Sequence, residues 1–528
     1  MAKVLMVHGY MLSGTGSNLY VRNIVKQMCE MGQDVILVCQ EFTPSDYDFV
    51  SKHLKAQGDE YEVLFERETA YPGTCELYTP DTEGELLVYV YDRYGELKVR
   101  EMKEASPAEI DRYIALNAKT IQHICENNDI SVAYSNHLVL QPQYVAAGIL
   151  AAGADIHQVI IGHGSDLLYA ISQSKYLDAL SRASLESCDQ LVAVSQSLKE
   201  SMQHYYSYLD LSACRVINPG LDGAVYGDMP MHDEQTLLEA YIDKADQGLG
   251  FGAKQSKMIA HLIEQDSYDL AEVQASYEAK AIEVGIADKL FTMMYDEDNE
   301  KVIYLGKYLE QKGLIPLVLG LPLLYAHNPQ INYILIGYGE LRAVLEYLIQ
   351  LIEQGKVDEI FEHAKDLGIE LDVDLRAIEE LRHYLSDPKN RSLYQKGARL
   401  LSTNTLFTGY LDQDFAIRVL HSGRVAVFPS LTAEAFGMVI IEAMAAKTKP
   451  LCTRHSGFEE TLQTAASHIP HMDVDDFSVP VDKHLLFNLV DKTLTLLDDH
   501  DQTMVDAMST FALNNYGWRG IAKQLLEL

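Results

Sequence analysis

Phe428-Pro429-Ser430-Leu431-Thr432-Ala433-Glu434-Ala435-Phe436-Gly437-Met438-Val439-Ile440-Ile441-Glu442-Ala443-Met444-Ala445 follows an apolar run beginning at Val425. Short apolar runs bounded by proline read as buried strands, and the apolar spacing after Gly437 reads as a helix. The stretch therefore predicts a strand, a loop carrying Glu434, and a helix whose exposed first N–H groups sit near Gly437, with Glu442 about a turn and a half inside it. Carboxylates accept hydrogen bonds from vicinal hydroxyls, and a helix start favours an anion. Such a loop suits a nucleotide sugar, with Glu434 at the sugar, the helix start at the diphosphate and Glu442 at the ribose. Ile440, Ile441 and Met444 are placed to pack, but packing alone does not account for an acid, an aromatic residue and a glycine in the loop.

The same strand-then-helix unit recurs along the chain. Candidate strands are Lys3–Tyr10, Asp34–Gln40, Val132–Ser135, Gln158–Gly162, Gln190–Ser195 and Arg215–Asn218, then Lys301–Lys307, Tyr333–Gly337, Thr405–Thr408, Val425–Pro429 and Pro450–Thr453. Alternation of this kind predicts parallel sheets covered by helices, an α/β class, and it occurs twice. The expected organisation is an N-terminal Rossmann-like domain over 1–222, an acidic helical insertion or linker over 223–300, a second Rossmann-like domain over 301–515 and a closing helix over 516–528. Three stretches interrupt the pattern. Residues 60–102, rich in Tyr, Val and turn residues, read as inserted β-hairpins. Residues 228–300 carry 17 acidic residues against five lysines, a net of −12, and residues 343–404 are likewise helical and polar. Both are expected as solvated helical insertions on a domain rim.

Three further segments place chemistry at strand ends. Ser13-Gly14-Thr15-Gly16-Ser17-Asn18 joins the first strand to the first helix, where glycines admit close backbone approach to an anion. Read as a dinucleotide fingerprint it is incomplete, because Leu19 stands where a third glycine belongs and Glu41 is only a loose match to the ribose-binding acid. His163, flanked by Gly162 and Gly164, ends a strand that opens on the ligand crevice of an α/β sheet. In Gly306-Lys307-Tyr308-Leu309-Glu310-Gln311-Lys312-Gly313, one ammonium at the strand tip and one near the next helix could converge on a diphosphate.

The 528 residues carry 42 Lys and Arg against 77 Asp and Glu, a formal net charge of −35, with 48% hydrophobic residues. That composition describes folded globular domains and excludes disorder as the main state. The charge opposes docking to nucleic acid or anionic lipid, so any phosphate ligand needs a local basic pocket. Seven cysteines without metal-like spacing read as small buried residues in a reducing compartment. The N-terminal run reads as a strand rather than a signal peptide, and Leu314–Ala326 falls short of the ~20 residues of a membrane span. A cytoplasmic location is expected.

Taken in order, GTGSN, HGSDL, LVAVSQSLKE, VINPGLD, GKYLEQKG, ILIGYGELR, LFTGYLD, VFPSLTAEAFGMVIIEAMA and PLCTRHSGFEE resemble the family-4 retaining glycosyltransferases. The resemblance implies the GT-B fold, two Rossmann-like domains facing across a cleft, with the Tyr516-Gly517-Trp518 helix crossing back to the first. It implies that Glu434 faces the donor sugar and Glu442 the ribose, that Phe436, Gly437, Met438 and Val439 offer backbone contacts to sugar and phosphate, and that Lys312 holds the diphosphate. Lys307 stands where the family usually has arginine, which loses a bidentate phosphate contact. His163 matches the histidine facing the transferred sugar, Gly16 the glycine loop, and Leu411 a backbone contact to the nucleotide base.

The implied reaction moves a sugar from a nucleoside-diphosphate sugar to an acceptor with retention of configuration, and requires no cofactor and no metal. Asp372-Val373-Asp374 and Asp473-Val474-Asp475-Asp476 end no crevice-facing strand and read as solvated loops. The net charge favours a small soluble acceptor over a membrane-docked one. A GT-B phosphorylase or a nucleotide-sugar epimerase, a nicotinamide-dependent oxidoreductase resting on GTGSN, and a silent scaffold remain open at this point, as do the donor base and the oligomeric state.

Overall fold

Parallel strands bury both faces, so each reads as a continuous apolar run, and the runs picked from the sequence form such strands. The computed structural model describes residues 2–14, 16–58, 60–90, 95, 97–226, 234–245, 253–276 and 282–528. Thr15 of the glycine loop, part of the 60–102 stretch and much of the acidic stretch lie outside the described residues. The chain divides into two compact units, Met1–Gly220 with Tyr516–Leu528, and Leu221–Asn515.

In the first unit the strands are β1 (Lys3–Val7), β2 (Val35–Val38), β3 (Lys52–Gln57), β4 (Glu60–Glu66), β5 (Cys75–Thr79), β6 (Glu85–Val88), β7 (Lys98–Glu101), β8 (Ile130–Asn136), β9 (His157–Gly162), β10 (Gln190–Ala193) and β11 (Arg215–Val216). Among the described residues, nine of them make one sheet in the order β11-β10-β9-β8-β1-β2-β5-β3-β4. Every pairing in it is parallel except β3 with β4. The helix Trp518–Leu526 packs on the helix Gly16–Glu30, with Trp518 edge-on to Tyr20 at 5.6 Å and the Tyr134 hydroxyl donating to the Leu525 carbonyl at 2.6 Å. Gly220 allows the turn past this helix, since a β-carbon there would meet the Tyr516 carbonyl oxygen at 2.5 Å.

The 60–102 stretch differs from a set of inserted hairpins. Among the described residues the one hairpin, β3–β4, begins earlier, at Lys52, and turns at Gly58, whose φ is +63°. β5 is a member of the main sheet, paired with β2 on one side and β3 on the other, and β6 pairs with β7 in parallel. Local turn signals at Tyr71-Pro72-Gly73 suggest strands that fold back on each other. Cys75 and Leu77 instead have no exposed surface, because the long edge of β2 offers them a buried place.

The second unit contains β12 (Glu300–Leu305), β13 (Ile331–Ile336), β14 (Thr405–Phe407), β15 (Val425–Phe428), β16 (Lys449–Thr453) and β17 (Ser478–Val479), ordered β14-β13-β12-β15-β16-β17. All these pairings are parallel. The helix Leu314–His327 is apolar on every side and correspondingly buried, packed against the helices Leu341–Glu353, Pro388–Ala398 and Leu485–Asp498. Gly397 lets Pro388–Ala398 approach, as a β-carbon there would strike the Pro322 carbonyl oxygen. Among the described residues no helix is long and apolar enough to cross a membrane.

Two expectations of solvated surface are corrected. The helix Leu341–Glu353, at the start of the polar 343–404 stretch, is core: Ala343, Leu345, Leu348 and Leu351 have no exposed surface. Its outer side is covered by Ala253–Glu264 of the acidic stretch, through residues such as Ile259 and Ile263. Polar residues between the apolar ones mask the burial when a helix is sandwiched between neighbours far apart in sequence. Asp374 likewise lies in a helix, Asp372–Tyr384, rather than in a solvated loop, and is fully buried. Burial, and then the nearby Glu310 carboxylate, push its pKa up to about 8.

Because the native state keeps a proton on Asp374 that the unfolded chain releases near pH 4, stability should fall as pH rises from about 4 to 8 and level off above. Asp374→Asn is expected to flatten that slope and to raise the melting temperature at pH 8. Equal slopes for the two proteins in thermal melts across this range would show that Asp374 is not the source.

Candidate functional site

Parallel pairing of β12 with β15 brings their following loops to one edge of the sheet. After β12 the chain runs through Gly306, Lys307 and the buried Tyr308, makes a turn at Glu310–Lys312, and enters the helix Leu314–His327 through Gly313. Gly313 has φ +69°, and a β-carbon there would overlap the Pro429 carbonyl oxygen after β15. The Leu431 N–H donates to the Gln311 carbonyl at 2.7 Å, so the two loops are joined backbone to backbone. Across that junction the Lys312 ammonium meets the Glu434 carboxylate at 2.5 Å, with the lysine one-third and the acid one-fifth exposed. Burial alone would raise the Glu434 pKa; the Lys312 charge, with help from Ser430 and His455, outweighs it and holds the carboxyl below its ordinary value.

The Glu434 loop is locked from the far side by β16's continuation. The Ser456 hydroxyl accepts from the Glu434 N–H at 2.9 Å, the Gly457 N–H donates to the Glu434 carbonyl at 3.0 Å, and His455 Nε2 lies 2.8 Å from the Ser430 carbonyl. Gly457 has no room for a side chain beside Phe436. Gly437, at φ +97°, then turns the chain into the helix Met438–Ala445, and Phe458 fills the space its β-carbon would need. The backbone N–H groups of Met438 and Val439 open that helix. Glu442 is buried inside the helix; burial raises its pKa, and a hydrogen bond from Tyr226 partly opposes this.

The Lys307 ammonium lies 5.6 Å from the Tyr338 ring centre. Leu411 sits buried in the loop Gly409–Asp412 after β14, whose Gly409 carbonyl accepts from the Gly337 N–H at 3.2 Å. Thus Lys312, Glu434, Phe436, Gly437, Met438 and Val439 gather at the β12 and β15 ends. Lys307 lies on the same loop after β12 as Lys312, and Leu411 on the loop after β14. Ser456, His455 and Gly457 fall within the stretch PLCTRHSGFEE, and no local pattern there shows that they brace Glu434.

In the first unit, Gly16 opens the helix Gly16–Glu30 and Gly14 takes φ +99°. Asn18 Nδ2 donates to the Ser13 carbonyl at 2.6 Å, and Asn18 Oδ1 accepts from His8 Nε2 at 2.8 Å. His163, at the end of β9, repeats this arrangement. Asn136 Nδ2 donates to the Val7 carbonyl at 3.0 Å, which leaves Asn136 Oδ1 to accept from His163 Nε2 at 2.9 Å. An amide oxygen can only accept, so the proton of His163 is on Nε2 and the Nδ1 lone pair is an acceptor. Burial, then the neighbouring His137 and His8, hold His163 well below the ordinary imidazole pKa, and burial with His137 lowers His8 to about 3. The His137 ring lies between them, at 4.9 Å from His163 and 5.9 Å from His8.

Glu41, the loose match to a ribose-binding acid, is used otherwise. Its carboxylate accepts from the N–H groups of Leu12, Phe42 and Thr43 at 2.9, 2.9 and 3.1 Å, and from the Tyr47 hydroxyl at 3.1 Å. An acid with four donors closes its own loop and has little capacity left for a ribose, which removes the feature a dinucleotide reading needs. Among the described residues no group of three or more His, Cys, Asp or Glu is arranged to hold a metal ion.

Because burial and the neighbouring His137 and His8 hold it neutral, the His163 ring should take up no proton as pH falls from about 8 to 6, the range in which an unperturbed imidazole titrates. In Asn136→Asp a carboxylate replaces the amide oxygen, and the His163 pKa should rise into that range. NMR titration of histidine-labelled protein checks both; a wild-type His163 that titrates near 6.5 would show that burial and its neighbours do not hold the ring neutral.

Residues 386–486 match the family model for glycosyl transferases group 1. The phosphatidyl-myo-inositol mannosyltransferase of Mycolicibacterium smegmatis is 22% identical over 237 residues, 44% of this chain and 46% of that protein, so the chain spans about half the length of the curated relative it matches. The sucrose-phosphate synthase from Thermosynechococcus elongatus aligns over 100% of this chain and 98% of its own, with a TM-score of 0.57 at 15% identity. Anabaena HepE in complex with UDP-glucose aligns over 100% and 99%, with a TM-score of 0.53 at 15% identity. At such identities the superpositions speak for the fold, and the family model speaks for the segment that follows the Leu341–Glu353 core helix and contains Glu434. The chain therefore has the GT-B fold and carries, in its second unit, the signature of the group 1 glycosyl transferases.

Proposed function

We propose that this protein is a retaining glycosyltransferase that moves a sugar from a nucleoside-diphosphate sugar to a small soluble acceptor. The observation that carries the reading is the Lys312–Glu434 contact at the joined ends of β12 and β15, beside the open start of the helix Met438–Ala445. In a chain of net charge −35, a phosphate ligand needs fixed local donors, because charges beyond about 8 Å are screened at physiological salt. Lys312, Lys307 and the N–H groups of Gly437, Met438 and Val439 supply them. Glu434, kept ionised by Lys312, accepts from sugar hydroxyls, Glu442 from the ribose, and the backbone at Leu411 contacts the base. The occupation of the HepE structure by UDP-glucose supports a nucleotide sugar as donor.

In this scheme the acceptor oxygen bonds to the anomeric carbon on the face from which the diphosphate departs. The carbon–oxygen bond to phosphate breaks, and the departing nucleoside diphosphate takes the acceptor's proton. The protein's part is to stabilise the developing phosphate charge and to hold the partners in place, and lysines with helix N–H groups do this without a metal. With its proton on Nε2, His163 presents Nδ1 as an acceptor for a sugar hydroxyl and contributes no proton to the leaving group.

Glu434→Gln and Lys312→Ala should each lower turnover by about 100-fold or more, the scale of removing a charge-stabilising group. A nucleoside diphosphate at 100 times its dissociation constant should stabilise the wild type by about 2.7 kcal/mol in a thermal-shift panel of uridine, guanosine and adenosine diphosphates. Unchanged turnover in both variants would sink the site assignment. Sugar release that needs orthophosphate instead of an acceptor would make the protein a phosphorylase.

A further inference from the structure

The acidic stretch 228–300 has no place in the proposed chemistry, yet its described residues close on the loop Gly409–Asp412 at several points. Ile282 pairs with Gly409 as an antiparallel bridge. Gly409 has φ +69°, and a β-carbon there would fall 2.2 Å from Glu283 Oε1. The Glu283 carboxylate is taken by both terminal nitrogens of Arg342, and the two side chains are each 4% exposed. Arg342 Nε donates to Glu346 at 2.8 Å, which ties the same guanidinium to the core helix Leu341–Glu353. The Tyr241 hydroxyl donates to the Glu283 carbonyl at 2.9 Å, and that ring packs edge-on to Phe415 at 5.1 Å. At the other end of the loop, Lys244 Nζ meets Asp412 Oδ2 at 2.7 Å.

These contacts act on one object. Gly409 begins the loop, Asp412 ends it by capping the helix Gln413–Ser422, and Leu411 lies between. Gly409 is in a conformation open to glycine, and the volume its side chain would need is filled by Glu283. A buried ion pair adds little net stability, but its fixed partners select one arrangement of the backbone over its neighbours. An insertion anchored only for stability would need no contact with this loop. Here the contacts fall at its two ends.

We propose that the acidic insertion is a specificity element of the donor site: through Ile282, Glu283 and Lys244 it fixes the backbone of Gly409–Leu411 and thereby sets which nucleobase of a nucleoside diphosphate is accepted. The inference rests on the donor-site reading above. Glu283, Arg342 and Lys244 are positioning residues, since they act on the base through the loop.

The test measures, by calorimetry on the full chain, the affinities of uridine, guanosine and adenosine diphosphates and of inorganic pyrophosphate. Pyrophosphate reports the Lys312 side of the site without the base loop. In Lys244→Glu, which sets two carboxylates against each other at the exposed end, the ratio between preferred and rejected nucleoside diphosphates should fall at least about threefold, and in Glu283→Gln about tenfold. Pyrophosphate affinity should stay within about twofold, and the donor KM should rise with kcat nearly unchanged. If Glu283→Gln does not fold, Lys244→Glu alone decides. Folded variants that keep the wild-type ratio, or that lose pyrophosphate in step with the nucleotides, would overturn the proposal. A wild type that binds none of the three nucleoside diphosphates would instead overturn the donor-site reading beneath it.

Discussion

The parallel pairing of β12 with β15 is the constraint on which the second unit's chemistry depends. Parallel strands send every following loop to the same edge of a sheet, so residues more than a hundred positions apart meet there. The backbone bond from Leu431 to Gln311 and the bare α-carbon of Gly313 against Pro429 then close the distance to contact. Lys312 and Glu434 are consequences of that approach. Neither side chain could hold the other if a β-carbon stood at residue 313.

Charge gives the contact its meaning. The chain is strongly acidic, and an isolated, partly buried carboxylate would move toward its neutral form. Lys312 keeps Glu434 ionised, and the loop of Ser456, His455 and Gly457 holds its backbone still. The first unit solves the opposite problem. His163 and His8 are kept uncharged by burial and by the neighbouring histidine rings, and two asparagines, each anchored to a backbone carbonyl, choose which of their ring nitrogens carries the proton. One unit thus offers fixed charge and the other fixed hydrogen-bond polarity.

The acidic insertion and the polar helices of 343–404 show how tertiary packing reassigns a surface. Read along the chain, both are charged segments with modest apolar stripes. In the fold they cover one another: Ala253–Glu264 lies on Leu341–Glu353, and Glu283 finds Arg342 in the interior. A buried ion pair requires both partners to arrive together, and a sequence separation of about 60 residues conceals that pairing from any local pattern.

The sequence by itself determined the two runs of β-then-helix alternation, the class of fold and the segments that carry Lys312, His163, Glu434 and Glu442, because apolar periodicity, glycine placement and motif order are local and survive in one dimension. It left β5 among supposed hairpins, placed Asp374 in solvent, and could not connect Asn136 with His163 or Glu283 with Gly409. Those features were decided by tertiary structure alone. Each depends on a partner brought from far along the chain, and the burial, proton position or ion pairing of a side chain exists only once that partner has arrived.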